Sequence, residues 1–113
     1  MRAINKNTGR TLACRVVTAE TWLSRSRGLL GRDALPEGEA LLIRPCRGVH
    51  TFFMRFPIDV VFLDLSQRVV ATVSHLQSGR MTRIFFKAGS ALELPAGTIA
   101  LSRTSCGDEV VLG

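Results

Sequence analysis

From Ala40 onward the chain is a succession of short apolar runs, each closed by Pro, Gly, Ser or Asp: "ALLIRP", "VHTFFMRF", "IDVVFLDL", "RVVATVSHL", "RIFFKA", "ALELP" and "EVVLG". Runs of this length, rich in β-branched and aromatic residues and separated by turn formers, predict strands rather than helices. Regular spacing of such strands points to a sandwich or a barrel. The run "IDVVFLDL" constrains the fold further. In an extended strand Val60 and Phe62 face one way and Val61 and Leu63 the other, so the strand is apolar on both sides and has to be covered twice.

The first part of the chain reads differently. "RAINKNTGRTLACRVV" predicts two short strands joined by a turn at Asn7-Thr8-Gly9, with Gly9 supplying a positive φ. "TAETWLSRSRG" predicts a helix over about 19–27. Thr18 is its expected N-cap, Glu20 lies in the first turn, Arg25 and Arg27 in the last, and Gly28 stops it. Gly31 to Glu39 collects loop formers, Ser66-Gln67 is the expected tight connection of a central hairpin, and "PAGTIALS" predicts one helical turn. At 113 residues and 46% hydrophobic, with no repeat or linker, the chain fits a single domain over residues 1–113. The expected fold is mainly β, a small β-sandwich or jelly-roll-like barrel with one short helix.

Three scattered cysteines, Cys14, Cys46 and Cys106, do not make a disulfide framework, which favours a reducing compartment. There is no apolar run of signal-peptide length or of the roughly 18 residues a membrane span needs. A soluble, cytoplasmic protein with no membrane partner is therefore expected. The net charge of +6 is uneven: residues 1–57 carry ten Arg or Lys against four Asp or Glu, and residues 58–113 carry five of each. A basic patch for nucleic acid is one reading and a solubilising surface the blander one. The phenylalanines lie in expected core strands, unable to stack on bases, and there is no tyrosine, so nucleic-acid binding is not favoured.

The residues able to carry chemistry concentrate in "CRGVHTFFMRFPIDVVF". Strand alternation would put His50, Phe52 and Met54 on one face and Thr51, Phe53 and Arg55 on the other. Asp59 opens a buried run, where a carboxylate must accept backbone N–H groups or pair with an arginine, Arg27 and Arg55 being the candidates. Pro57 breaks the ladder and allows a corner that brings Asp59 toward His50, so a cluster of Arg27, His50 and Asp59 is expected. Glu93 in "ALELP" faces away from Leu92 and Leu94. It reads most simply as the wet side of an edge strand, and otherwise as a further ligand contact. Cys46 and His50 lie four residues apart, about 13 Å in a strand, too far to share a metal ion, and no metal motif occurs nearby. His75 reads as a solvated histidine and Asp108 as a turn residue. Neither a carboxylate pair with acid and base spacing nor a phosphate-cradling glycine loop is present. No cofactor or metal is expected.

The blocks "RSRGLLGRDALPEGEALLI", "CRGVHTFFMRFPIDVVFLD", "ALELPAG" and "GDEV" resemble, in order and spacing, the family called domain of unknown function 192, over about residues 25–110. The resemblance implies a small, mainly β domain and implies no reaction. Some members carry N-terminal export or membrane segments, from which this chain departs, and that weighs against a periplasmic role. The leading expectation is a non-enzymatic domain binding a small molecule or protein through Arg27, His50, Met54, Arg55, Asp59 and Glu93. The alternatives are a small enzyme with His50 as acid or base oriented by Asp59, and a nucleic-acid binder using the basic half.

Overall fold

A computed structural model describes residues 1–19, 34–52 and 54–113. Among them are eight strands: β1 (Ala3–Asn5), β2 (Thr11–Ala13), β3 (Arg15–Ala19), β4 (Glu39–Ile43), β5 (Ile58–Leu63), β6 (Val69–Leu76), β7 (Ser90–Pro95) and β8 (Val110–Leu112). One short helix, α1 (Thr98–Ser102), follows β7. The strands form a three-stranded sheet in the order β2-β1-β8 and a five-stranded sheet in the order β3-β4-β7-β5-β6. The mainly β expectation holds. Backbone hydrogen bonds stitch the sheets together, from Val16 to Met1 on one side and around the Arg68–Glu109 bridge on the other. No continuous ladder closes them, so the described residues form two packed sheets rather than a barrel.

The first hairpin turns at Gly9 (φ 75°), and Asn5, fully buried, holds the turn by accepting the N–H groups of Asn7 and Thr8 at its side-chain oxygen. "RAINKNTGRTLACRVV" nevertheless holds three strands rather than two. At Cys14 the chain leaves the small sheet for the large one, because the N–H groups of Cys14 and Arg15 both turn to the carbonyl of Gly38, at 2.8 and 3.0 Å. Thr18 is consequently a residue of β3, not a helix N-cap. The remainder of the expected helix at 19–27 lies outside the described residues. β3 and β4 run parallel, a pairing that requires a long crossover between them.

β5 is buried along its whole length and lies between β7 and β6, as its two-sided apolar pattern requires. Its inner face, with Val61 and Leu63, packs with Leu42, Leu92 and Leu94 against Ala3, Leu12 and Val110 of the small sheet and Ile99 of α1. Full burial of such side chains stabilises the fold by roughly 1.5–3 kcal/mol each. The outer face, with Ile58, Val60 and Phe62, is covered by Val49, Met54, Phe56 and Phe85 from the segments 44–57 and 77–89.

Those two covering segments contain the expected strands "VHTFFMRF" and "RIFFKA", and the described residues of neither run form one. A single bridge joins His50 to Met81. The reason is local competition from hydroxyls. Thr51, fully buried, donates its hydroxyl to the carbonyl of Gln77 and accepts the N–H of Arg80 at 3.0 Å. Thr82 accepts the N–H of Val49 at 3.0 Å and donates to the carbonyl of Arg83. The N–H of Met54 closes a turn on Thr51. Strand alternation therefore fails here: Met54 is buried, whereas His50 and Phe52 are exposed.

Candidate functional site

Asp59 projects from β5 toward the inner face and is fully buried. Opposite it β6 carries a bulge: Ile58 pairs with Leu76 and Val60 with Val73, leaving Ser74 and His75 across from one residue. His75 adopts φ 52° there. The bulge turns the N–H of His75 onto Asp59 Oδ1 at 2.9 Å, while Oδ2 accepts the N–H groups of Gly97 (3.1 Å) and Ile99 (2.8 Å) at the start of α1. Of the two partnerships open to Asp59, backbone amides or an arginine, it takes the amides. The imidazole of His75 is largely exposed, with Nδ1 4.0 Å from Oδ1. Asp59 is thus the joint between β5, the β6 bulge and α1.

No hydrogen bond or ion pair joins His50 to Asp59. His50 is exposed, stacked on Phe52 with ring centroids 5.2 Å apart. The Pro57 corner does not fold Asp59 onto the histidine segment, because the carboxylate leaves on the opposite face of the sheet from the segment that carries His50. Arg27 lies outside the described residues. Arg55 is exposed and Met54 buried in the outer cluster.

Glu93 differs from its sequence reading. β7 is the middle strand of the large sheet, not an edge, and Glu93 is 5% exposed on the outer face. Its lateral neighbours in the ladder are Leu41 on β4 and Val60 on β5, and the row continues to Val17 and Val73. The carboxyl therefore occupies the centre of an otherwise apolar row, and it makes no hydrogen bond or ion pair with any described residue. Burial alone pushes its pKa up from 4.5 to about 7. Asp108 shows the opposite behaviour: the side chain of Asn5, then the N–H of Ser105, hold it below the usual carboxylate range.

An acid with a pKa near neutrality, in apolar surroundings, can accept or donate a proton or a hydrogen bond at pH 7. Among the described residues no group of three His, Cys, Asp or Glu side chains is placed to hold a metal ion. An open groove of about 360 Å³ lies elsewhere, where Arg10, Cys14 and Glu37 meet Thr98 and Leu101 of α1, and it includes none of the six candidate residues. Sequence reasoning also passed over Thr51. Its signal was a small hydroxyl within an aromatic run, a residue type that ties loops together as readily as it faces solvent.

This is a small two-sheet β protein whose larger sheet holds at its centre a buried acid without a partner among the described residues. The chain belongs to the domain of unknown function 192 family, described as an uncharacterized ACR, whose pattern matches residues 3–112, wider than the four sequence blocks that resemble it. It is 33% identical to a UPF0127 protein of Thermococcus sibiricus over 114 residues, 95% of this chain and 71% of that one. A UPF0127 protein of Thermococcus gammatolerans is 31% identical over 89% of this chain and 66% of its own length, so the chain spans about two thirds of that relative. The crystal structure of a protein of unknown function from Novosphingobium aromaticivorans superposes with a TM-score of 0.85 at 19% identity, covering 99% of this chain and 84% of that one. A Sinorhizobium meliloti structure, described as a candidate transcription regulator, gives 0.77 at 22% identity, covering 97% and 89%. These likenesses establish the fold and no activity. No helix among the described residues is long and apolar enough to cross a membrane.

Proposed function

We propose that this chain is a small-molecule-binding domain that takes its ligand on the outer face of the five-stranded sheet, with Glu93 as polar anchor and Met54 in the apolar surroundings. The observation that carries the reading is the buried carboxyl of Glu93 without a partner among the described residues. Such a group is costly to keep in an apolar core, and a hydrogen-bond donor from a ligand offsets that cost. Apolar walls with one convergent polar group are the usual make-up of a small-ligand site. The ligand chemistry that fits is an apolar body presenting an amine or hydroxyl. His50 and Arg55, both exposed, and Asp59, occupied by three amides, are not needed for this contact.

The test is a thermal-shift screen of small amines, alcohols and heteroaromatic compounds against the wild-type chain and Glu93→Gln. The expected result is a compound class that raises the wild-type Tm and binds the variant about tenfold more weakly, the equivalent of losing about 1.4 kcal/mol of binding free energy. Equal stabilisation of both proteins, or no compound that distinguishes them, contradicts the reading.

A further inference from the structure

The two covering segments present an outward surface that plays no part in packing the core. Nine large hydrophobic side chains are exposed among the described residues, and four of them fall here: Phe52 (39% exposed), Met81 (65%), Ile84 (51%) and Phe86 (77%). They are held outward by the backbone. The N–H of Thr51 bonds to the carbonyl of Arg80, that of Thr82 to Val49, and that of Phe85 to Arg47, each at 2.8 Å. Phe85 itself turns inward, its ring 4.7 Å from that of Phe62. Ile84 lies against Gly48, where an added Cβ would come within 2.9 Å of its Cδ1, so the two segments meet without a side chain between them. With the loops pinned at these points, Met81, Ile84 and Phe86 cannot fold back to bury themselves.

The charge carried by these two segments has one sign. Arg47, Arg80, Arg83 and Lys87 are exposed, and none forms an ion pair with a described residue. No acidic residue occurs between Glu39 and Asp59 or between Asp64 and Glu93. We propose that this surface docks onto a bilayer rich in anionic lipid, with Met81, Ile84 and Phe86 entering the interface and Arg47, Arg80, Arg83 and Lys87 meeting the headgroups. Exposed apolar side chains ringed by cations combine the two attractions that peripheral membrane binding needs, apolar burial and attraction to a negative surface. Single-stranded nucleic acid would use the cations and the rings of Phe52 and Phe86 but gains nothing from the aliphatic Met81 and Ile84, which favours the bilayer. The sequence expectation of no membrane partner rested on the lack of a long apolar run, and dispersed side chains on two loops leave no such run.

The experiment is co-sedimentation of the chain with vesicles of phosphatidylcholine, with and without phosphatidylglycerol. Arg80→Gln/Arg83→Gln/Lys87→Gln removes the cations, Met81→Ser/Ile84→Ser/Phe86→Ser removes the apolar contacts, and Phe86→Ser alone is the milder companion. All these positions are exposed, and thermal melts confirm that each variant is folded. The expected result is binding to the anionic vesicles only, lowered about a hundredfold by the charge variant, since each cation near an anionic surface contributes about fivefold. The apolar variants, Phe86→Ser included, should also weaken it. Three outcomes overturn the proposal: no sedimentation with anionic vesicles, apolar variants that bind like the wild type, or a single-stranded oligonucleotide that binds more tightly than the vesicles and displaces them.

Discussion

Glu93 and Asp59 are buried carboxyls on neighbouring strands, and what separates them is the supply of donors. Asp59 faces the inner side, where the β6 bulge and the start of α1 aim three N–H groups at it. Replacing it with Ala leaves those donors without an acceptor in the interior, so Asp59→Ala should lower the unfolding free energy by about 3 kcal/mol or more, measured by denaturant titration. A loss below about 1 kcal/mol would mean the joint is dispensable. Glu93 faces the outer side and has no such donors among the described residues. Its folded-state pKa of about 7 lies above the ordinary 4.5, so the folded protein holds its proton longer than the unfolded chain does. The Glu93 contribution to stability is then fullest below pH 4.5, falls as the pH rises toward 7, and levels off above it, a total change of roughly 3 kcal/mol. Glu93→Gln removes this dependence. The variant should be more stable than the wild type at pH 8 by about 2–3 kcal/mol, with the difference vanishing near pH 4.5. A wild type that is the more stable of the two at pH 8 would contradict a buried, unpaired Glu93.

At the scale of elements, what was legible in the sequence was what local pattern decides. The Gly9 hairpin, the β5–β6 hairpin turning at Ser66-Gln67, the helical turn after "ALELP" and the two-sided burial of β5 all follow from short-range periodicity and turn chemistry. The position of β7 does not. Strand order β3-β4-β7-β5-β6 inserts β7 between β4 and β5 by pairing residues some thirty to fifty positions apart, and nothing in "ALELP" encodes that, so Glu93 reads as an edge residue until the sheet is assembled. The covering segments misled for a different reason. "VHTFFMRF" and "RIFFKA" have strand composition, yet Thr51 and Thr82 divert their backbone groups into loop contacts. Thr51→Val keeps the volume and removes the hydroxyl. It should cost about 2 kcal/mol and speed amide exchange at Arg80, while exchange in β5 and β7 tracks only the global loss. Unchanged exchange at Arg80 would show that the hydroxyl does not pin the loop.

On the scale of the whole molecule, two apolar clusters lie on opposite faces of the five-stranded sheet with β5 and β7 between them, a structural carboxylate on one face and, on the other, an acid without a partner among the described residues. Of the six candidate residues read from sequence, Asp59 was placed in the right setting because burial of a carboxylate dictates its needs, whereas its approach to His50 depended on a corner geometry that no local rule supplies. The net charge of +6 predicts weak binding to duplex nucleic acid that falls steeply with salt. Binding assays at rising salt should show it disappear without sequence preference, and sequence-specific binding that persists at moderate salt would reopen the nucleic-acid reading. Glu93 is the buried acid that no described residue partners. The direct measurement is a titration of its side-chain carboxyl by carbon-13 NMR, assigned with Glu93→Gln. The carboxyl should titrate with a midpoint near pH 7, and a midpoint near the ordinary 4.5 would show that Glu93 is neither desolvated nor in want of a donor.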